Sequence, residues 1–436
     1  MKLLRTKGRG STNAWRLLGE LERRQESTGN KVMPLVRRIV STVRNGGDDA
    51  LRKYAIHFDG LLPQSSLQIT AAEMQNAWEQ TPTSITYALE VAEGNIRRFA
   101  ERQLPADWSF SPRPGLNTGQ LVRPICAVGC YVPSGLHPLP SSLLMTVVPA
   151  QVAGVKRIVV VSPNPVRETL AAAHLLGVKD FYRIGGAQAI AALAYGTETI
   201  PRVNKIVGPG NRYVTTAKKL VAFNCAIDML AGPTEIVVTS ERGNAAYIAA
   251  ELVAQAEHDP EALAILVTTQ PELADRVMDE VKSRVKTNAT AKQSLSEHGY
   301  VILASSPDEG HEITNRLAPE HLTVDNASDL DWITNAGSVF VGDYSPQPMG
   351  DYVSGPNHTL PTGGLARVRG GLSVNDFLKL ITVQSYTRSA LRELGPAAIS
   401  LAEAEGLTGH ADAIRIRNTT ARSKLQRAKA ERSAYA

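Results

Sequence analysis

The sequence predicts an α/β protein built around two mostly parallel sheets, and three observations carry that prediction. Short β-rich runs at 125–128, 157–161, 181–184 and 205–207 alternate with helical segments such as 141–153 and 166–176. Strand and helix taking turns at this spacing make βαβ units, whose strands lie parallel. The pattern then starts again at Glu235-Ile236-Val237-Val238-Thr239 and continues through a helix carrying Gln255 and His258, a run at 263–268, a charged helix over 271–286 and a run at 300–303. Finally, 436 residues exceed what one core usually holds, so two or more domains with ample buried surface are expected.

Taken in order, the chain opens with a helical section. Ile85, Leu89, Ala92, Ile96 and Phe99 recur at steps of four and three and mark a core-facing stripe on a helix over 83–103. A Pro/Gly-rich link over 105–115 precedes the first α/β series. The seam between the two series falls near Ala231-Gly232-Pro233-Thr234. From about Asp376 the chain reads helical and ends in a basic tail. No fixed-period repeat or low-complexity segment interrupts it.

Hydrophobic residues at 43% and charged residues at 20% are ordinary for a soluble globular protein. From Ala411 onward seven Lys or Arg face only Asp412 and Glu431, a surplus equal to the +5 of the whole chain. The body is therefore close to neutral, and a nucleic-acid partner is not expected. Cys126, Cys130 and Cys225 are odd in number and lack metal or redox spacing, which points to a reducing compartment. The start has no apolar core of signal-peptide length, and no later run reaches membrane-spanning length without Pro, Gln or charge. A cytoplasmic protein is expected.

Five kinds of segment carry chemistry. Gln255 and His258 stand three residues apart on a helix that begins near Asn244 and that Pro260 ends. At that spacing the two tips share a face and can converge on one atom, as helical metal ligands do, although a histidine there also complements a helix terminus. Ala318-Pro319-Glu320-His321-Leu322 sets a carboxylate beside an imidazole. Pro suits the first turn of a helix, where neighbours lie about 100° apart and both tips reach one cavity; in a strand they would point to opposite faces. A histidine can take a proton from a hydroxyl and a partly desolvated glutamate can activate water, whereas the plain alternative is a surface dipeptide.

Gly350-Asp351-Tyr352-Val353-Ser354-Gly355-Pro356-Asn357-His358 reads as a loop, either a surface turn or a site loop in which Asp351 offers a hard oxygen and His358 a donor. In Glu405-Gly406-Leu407-Thr408-Gly409-His410, two glycines break the helix and set Glu405 and His410 on a turn. Gly208-Pro209-Gly210-Asn211 follows a strand and precedes a helix, where backbone N–H groups can meet an anion. Tyr213 stands where the dinucleotide fingerprint needs its third glycine, and Gly185-Gly186-Ala187-Gln188 makes a second turn of the same kind. The two α/β units are thus Rossmann-like but incomplete.

These segments, together with Gly129-Cys130-Tyr131-Val132-Pro133, Ile206-Val207, Ala231-Gly232-Pro233-Thr234-Glu235 and His358-Thr359-Leu360-Pro361-Thr362, resemble histidinol dehydrogenase, with the blocks in family order along nearly the whole chain. The resemblance implies one Zn²⁺ per subunit held by Gln255, His258, Asp351 and His410, the last arriving from the partner subunit of a homodimer with shared active sites. It implies substrate contacts from Thr234, Gln255, His258, His321, Asp351, His358, Glu405 and His410, NAD contacts from Tyr131, Gln188 and Asn211, and Glu320 and His321 as the catalytic pair. The activity implied is the four-electron oxidation of L-histidinol to L-histidine through L-histidinaldehyde, the last steps of histidine biosynthesis. Thr234 stands where serine is common in the family, keeping the hydroxyl and adding a methyl.

The expected domains follow. Residues 1–25 form an N-terminal helical arm; 26–123 with 236–375 form a discontinuous first α/β domain carrying the metal and catalytic residues; 124–235 form the NAD-binding second domain. Residues 376–436 form a helical extension that packs on the partner subunit. Three rivals share parts of this pattern. A paralogue oxidising another small alcohol, such as a dihydroxypropane sulfonate, would keep metal and bases, but Glu405 suits a cationic substrate and repels a sulfonate. A zinc hydrolase could use His321, Glu320 and a metal-bound water, and would ignore NAD. A metal-stabilised scaffold without catalysis would tolerate loss of Glu320 or His321.

Overall fold

The computed structural model describes residues 1–24, 32–134 and 139–418. Its elements are, in order, β1 (Lys2–Arg5), α1 (Ser11–Glu22), α2 (Met33–Phe58), α3 (Ala71–Gln80), α4 (Thr83–Arg102), β2 (Trp108–Arg113) and β3 (Leu116–Pro124). There follow β4 (Ala127–Tyr131), α5 (Pro140–Val152), β5 (Arg157–Val161), α6 (Arg167–Leu175), β6 (Asp180–Tyr182), α7 (Gly186–Tyr195), β7 (Lys205–Val207), α8 (Arg212–Val221) and β8 (Ala226–Ile227). The second series runs β9 (Glu235–Thr239), α9 (Ala245–Ala256), β10 (Leu263–Thr268), α10 (Pro271–Arg284), α11 (Ala289–Glu297), β11 (Gly299–Leu303), α12 (Pro307–Leu317), β12 (His321–Val324), β13 (Ser338–Val341) and α13 (Gln347–Tyr352). β14 (Leu378–Tyr386) and α14 (Arg388–Ala404) come last. The chain divides into two units, Met1–Leu104 with Pro124–Phe377, and Pro105–Arg123 with the residues from Leu378 on.

The first unit contains both α/β sheets. One has five strands in the order β6-β5-β4-β7-β8, all parallel. Every residue of β4 is buried, as expected of a parallel strand covered on both faces. Gly129 at its middle lets α7 close in, since a Cβ there would lie 2.8 Å from Leu193. The other sheet has six parallel strands in the order β1-β11-β10-β9-β12-β13. Its residues alternate between two cores. Ile236, Val238, Leu266 and Val301 face α9, α10 and α11, while Val237, Ile265, Ile302 and Leu322 face Leu18 of α1 and Ile313 of α12. Each such fully buried side chain contributes roughly 1.5–3 kcal/mol.

The fold class is the expected one, two α/β sheets with mostly parallel strands, but three stretches differ from the sequence reading. The first residues, expected as a helical arm, open with β1, which pairs with β11 in the register Leu3↔Val301. Gly8 and Gly10, at φ +80° and +94°, turn the chain into α1 only at Ser11. Helices α2, α3 and α4, grouped beforehand with residues 236–375, instead cover the five-stranded sheet through α7 and α8, α6, and α5. Their apolar stripes find partners there, with Val36, Val43 and Leu51 sharing a core with Ile190, Ala191 and Ile206. Of the α4 stripe, Leu89, Ala92 and Ile96 are buried, whereas Ile85 and Phe99 are 38% and 41% exposed.

The second unit is described by itself. β2 and β3 make an antiparallel ribbon with an irregularity between Phe110 and Arg113, and β14 adds to β3. The last section was expected to be helical throughout, yet Leu378-Lys379-Leu380-Ile381-Thr382-Val383-Gln384-Ser385-Tyr386 is a strand. Its Ile, Thr, Val and Tyr favour the extended backbone. α14 starts at the cap Thr387 and ends at Glu405. The basic tail from 419 onward lies outside the described residues. No helix among the described residues is long and apolar enough to cross a membrane.

Candidate active site

The six-stranded sheet reverses its strand order between β9 and β12, and the candidate site forms at the amino ends of those two strands. His321 opens β12 and pairs with Ile236 of β9. The helix expected to begin at Pro319 is absent. α12 ends at Leu317, Ala318 takes a left-handed conformation at φ +45°, and Glu320 sits in a bend before the strand. That bend, in place of a helical turn, lets neighbouring side chains meet instead of pointing to opposite faces. Glu320 Oε2 lies 3.6 Å from His321 Nδ1.

One residue holds both groups through its main chain. Glu235 N–H donates to Glu320 Oε2 at 2.8 Å, and Glu235 C=O lies 3.1 Å from His321 Nδ1. Thr234 Oγ1 donates to the same Glu320 oxygen at 2.6 Å. Gln255, in the last turn of α9, donates its Nε2 to Thr234 Oγ1, while its Oε1 is buried without a partner. His258 follows two residues after α9 ends and is exposed. It is therefore carried by the turn after the helix and not by a helix face.

On the far side of His321, Nε2 lies 3.6 Å from Asp351 Oδ1 and 3.2 Å from Gln347 Nε2. Asp351 belongs to the short helix α13 and not to the loop that follows. Gln347, one turn earlier, donates to Asp351 Oδ2 at 2.5 Å, and its own Oε1 is buried and unpartnered. His358 Nδ1 donates to the Asp351 carbonyl at 2.8 Å and its Nε2 meets Ser142 Oγ at 3.1 Å. His321, Asp351, Asn357 and His358 line a cavity of about 330 Å³. His258 borders a neighbouring cleft of about 710 Å³ with Leu139, Ser141 and Tyr352. Glu405 and His410 belong to the second unit, where both are exposed. Glu405 caps α14, and His410 lies in a helical stretch that begins at Thr408, not on a turn.

The electrostatics push the two central groups upward. Burial raises Glu320 to about 7, against the opposing pull of His321. Burial would lower His321, but Glu320 and Asp351 outweigh it and hold it at about 9. For Asp351 burial acts upward, and the His321 hydrogen bond and charge overcome it, keeping the carboxyl below its usual range. His358 is lowered by burial.

A second candidate edge lies at the carboxyl ends of β4 and β7, where the five-stranded sheet reverses its order. Crevices of this kind are where open α/β sheets bind ligands. Tyr131 ends β4, and its hydroxyl accepts the Gly186 N–H at 3.1 Å. Burial pushes that hydroxyl up to about 12. Gln188 donates to Asp59 Oδ2, which also accepts the Gly185 N–H. Asn211 caps α8 by accepting from Tyr213 and Val214. At Gly208, φ +111°, a Cβ would lie 2.2 Å from the Tyr131 carbonyl.

The family profile of histidinol dehydrogenase matches residues 22–418. The chain belongs to the histidinol dehydrogenase family. It is 44% identical over 416 residues to the histidinol dehydrogenase of Methanothermobacter thermautotrophicus, covering 92% of this chain and 97% of that one. With the histidinol dehydrogenase of Bacillus cereus it shares 46% identity over 395 residues, 88% and 91% of the two chains. A crystal structure of histidinol dehydrogenase from Elizabethkingia anophelis superposes with a TM-score of 0.90 at 33% identity, covering 97% of this chain and 99% of that one. As a member of this family the chain is an oxidoreductase acting on a small-molecule substrate.

Two tests ask whether the residues suit the groups a histidinol dehydrogenase is expected to hold. The orphaned Gln255 Oε1 and the ionised Asp351 are hard oxygen donors, and a buried unpaired amide oxygen is costly unless something binds it. Those donors fit a metal ion. Among the described residues no three His, Cys, Asp or Glu converge as a closed metal set. At the other edge, the missing side chain of Gly208 makes room for the Tyr131 carbonyl, which packs the end of β7 on the end of β4 at the crevice where an open α/β sheet would take a dinucleotide. The amides of Gly185, Gly186, Tyr213 and Val214 are already taken by side chains. Contacts there would come from side chains and close packing more than from helix N-termini. Glu235, Gln347 and Asp59 escaped the sequence reading. Only Gln347 offered a local signal, its spacing of four from Asp351.

Proposed function

We propose that this chain oxidises L-histidinol to L-histidine in two successive two-electron steps through L-histidinaldehyde, as a zinc- and NAD-dependent cytoplasmic homodimer. Gln255, His258 and Asp351, with His410 contributed by the second subunit, would hold the metal. Tyr131, Gln188 and Asn211 would hold the dinucleotide, and Thr234, His358 and Glu405 would contact the substrate. When bound, the metal would fix the substrate's nitrogen atoms, and two NAD⁺ molecules bound in succession would each accept one hydride.

The chain's own residues move the protons. With Nδ1–H donated to the Glu235 carbonyl, His321 presents Nε2 as its basic atom toward Asp351 and the cavity. It takes the alcohol proton as the first hydride leaves the carbinol carbon. Glu320 then takes a proton from water as the water oxygen bonds to the aldehyde carbon, and His321 returns its proton to the carbonyl oxygen, which leaves it free to accept again. The hydrate loses a hydroxyl proton to His321 as the second hydride departs. Both steps occur at one carbon, which is why two bases of different pKa are held side by side. Holding the aldehyde in place between the two steps would keep it from escaping.

The observation that supports this most is the grip of one main-chain residue, Glu235, on both Glu320 and His321 beside the unpartnered Gln255 oxygen. The test is the ratio of NADH to histidine formed from L-histidinol with excess NAD⁺, before and after a chelator. Two NADH per histidine, lost with chelator and restored by zinc, is expected. No NADH from histidinol, with turnover of another small diol, would overturn the substrate assignment.

A further inference from the structure

Glu235 opens β9, a wholly buried strand whose next three residues, Ile236, Val237 and Val238, are apolar. Its carboxylate is clamped by Arg24, with Nε to Oε1 at 2.5 Å and Nη2 to Oε2 at 2.6 Å. The two side chains are only 4% and 15% exposed. This is the planar two-point geometry in which guanidinium and carboxylate match best. Arg24 reaches two further elements. Its Nη1 donates to the Leu21 carbonyl at the end of α1, and its Nη2 to the Leu317 carbonyl at the end of α12, three residues before Glu320. Glu235 Oε1 also accepts the Gly363 N–H at 2.9 Å, tying down the chain that leaves His358-Thr359-Leu360-Pro361-Thr362.

We propose that the Arg24–Glu235 pair is a positioning device for the two bases: it fixes the residue whose N–H holds Glu320 and whose C=O holds His321, and it anchors the helix end that leads into both. The inference rests on the reading of Glu320 and His321 as the bases. The Glu235 charge also helps to raise Glu320, but the carboxylate's hydrogen bonds go to Arg24 and Gly363, and the bonds that hold the two bases come from the Glu235 main chain. A shift of the β9 backbone moves the two donor–acceptor contacts at once, and small misplacements of catalytic groups lower turnover more than they lower substrate affinity.

The experiment uses the full-length, zinc-loaded enzyme and compares Arg24→Gln, Arg24→Lys and the double variant Arg24→Gln/Glu235→Gln with Glu320→Gln and His321→Asn. The double variant leaves no unpaired buried charge, which keeps the test open if a single variant fails to fold. Expected is a fall in kcat on the order of 10- to 100-fold in folded Arg24→Gln and in the double variant, with KM for histidinol within about threefold of the parent. Arg24→Lys should recover part of the loss. Unchanged kcat in variants that melt like the parent overturns the positioning role, as does a loss that scales only with the unfolded fraction. If Glu320→Gln and His321→Asn themselves turn over at the parental rate, the reading of the bases fails, and the inference falls with it.

Discussion

Replacing Glu320 by Gln separates the two halves of the reaction. Both hydrogen bonds that hold this carboxylate, from Thr234 Oγ1 and from the Glu235 N–H, end on the single atom Oε2. A glutamine whose amide oxygen takes that place keeps both, so the fold and the placement of His321 are retained. What is lost is the base. General-base catalysis contributes about 10²- to 10⁴-fold, so the barrier of the aldehyde step should rise by about 3 to 5 kcal/mol. Alcohol oxidation needs only His321 and should proceed. The assay is NADH released per histidinol consumed, with a carbonyl-trapping reagent to catch the aldehyde: the parent gives two NADH, the variant one.

The pH dependence supplies the second readout. Burial raises Glu320 to about 7, so below that pH the group is protonated and cannot accept a proton from water. Aldehyde oxidation by the parent should climb with pH through about 7 and again toward about 9, where His321 loses its proton, and Glu320→Gln should lack the lower limb. Two NADH per histidinol from the variant at the parental rate, or an unchanged limb near 7, would refute the assignment of Glu320.

Three further outcomes follow from the same geometry. Gly208→Ala forces a side chain into a left-handed backbone 2.2 Å from the Tyr131 carbonyl, so a loss of about 1–3 kcal/mol in stability and a raised KM for NAD⁺ are expected from thermal unfolding and initial rates; unchanged values for both would refute the close approach. Lys218→Met strands Asp228, whose carboxylate meets Lys218 Nζ at 2.5 Å with both side chains buried. Urea unfolding should show about 3–5 kcal/mol less stability, and a loss below about 1 kcal/mol would mean the pair is not load-sharing in the folded state. Mixing His258→Asn with His410→Asn subunits should restore part of the activity through hybrid dimers, and no recovery after verified exchange would sink the shared site.

How much of this was legible beforehand depends on what each feature needs. The parallel strands β4, β9 and β10 are continuous apolar runs because both faces of each are covered, and such runs show in any local window. β1 has four residues and is stable only because β11 stands beside it, so no window could separate it from a helical arm. At the site, spacing puts Gln255 and His258 on one helix face, but His258 lies in the turn after α9; Gln347 and Asp351, four apart on α13, are a pair that spacing alone could have given. Glu320 and His321 stand out in the sequence as a carboxylate beside an imidazole, but the helix expected to carry them is not there. Their convergence comes from a left-handed Ala318 and from β9 lying alongside β12, 86 residues away in the chain.

The hydrogen bonds that hold the pair are made by the backbone of residue 235, and backbone bonds leave no side-chain pattern to read. What the sequence does display is an acid at the head of an apolar strand, which propensity alone would count against the strand. Such a residue stays buried only if a cation meets it. That cation, Arg24, lies 211 residues away, so the acid was visible and its purpose was not. A buried charge that breaks the local rule is therefore the better pointer to where this fold concentrates its constraints than the apolar pattern that obeys it, and the Arg24 variants ask directly whether that constraint serves the two bases or only the sheet.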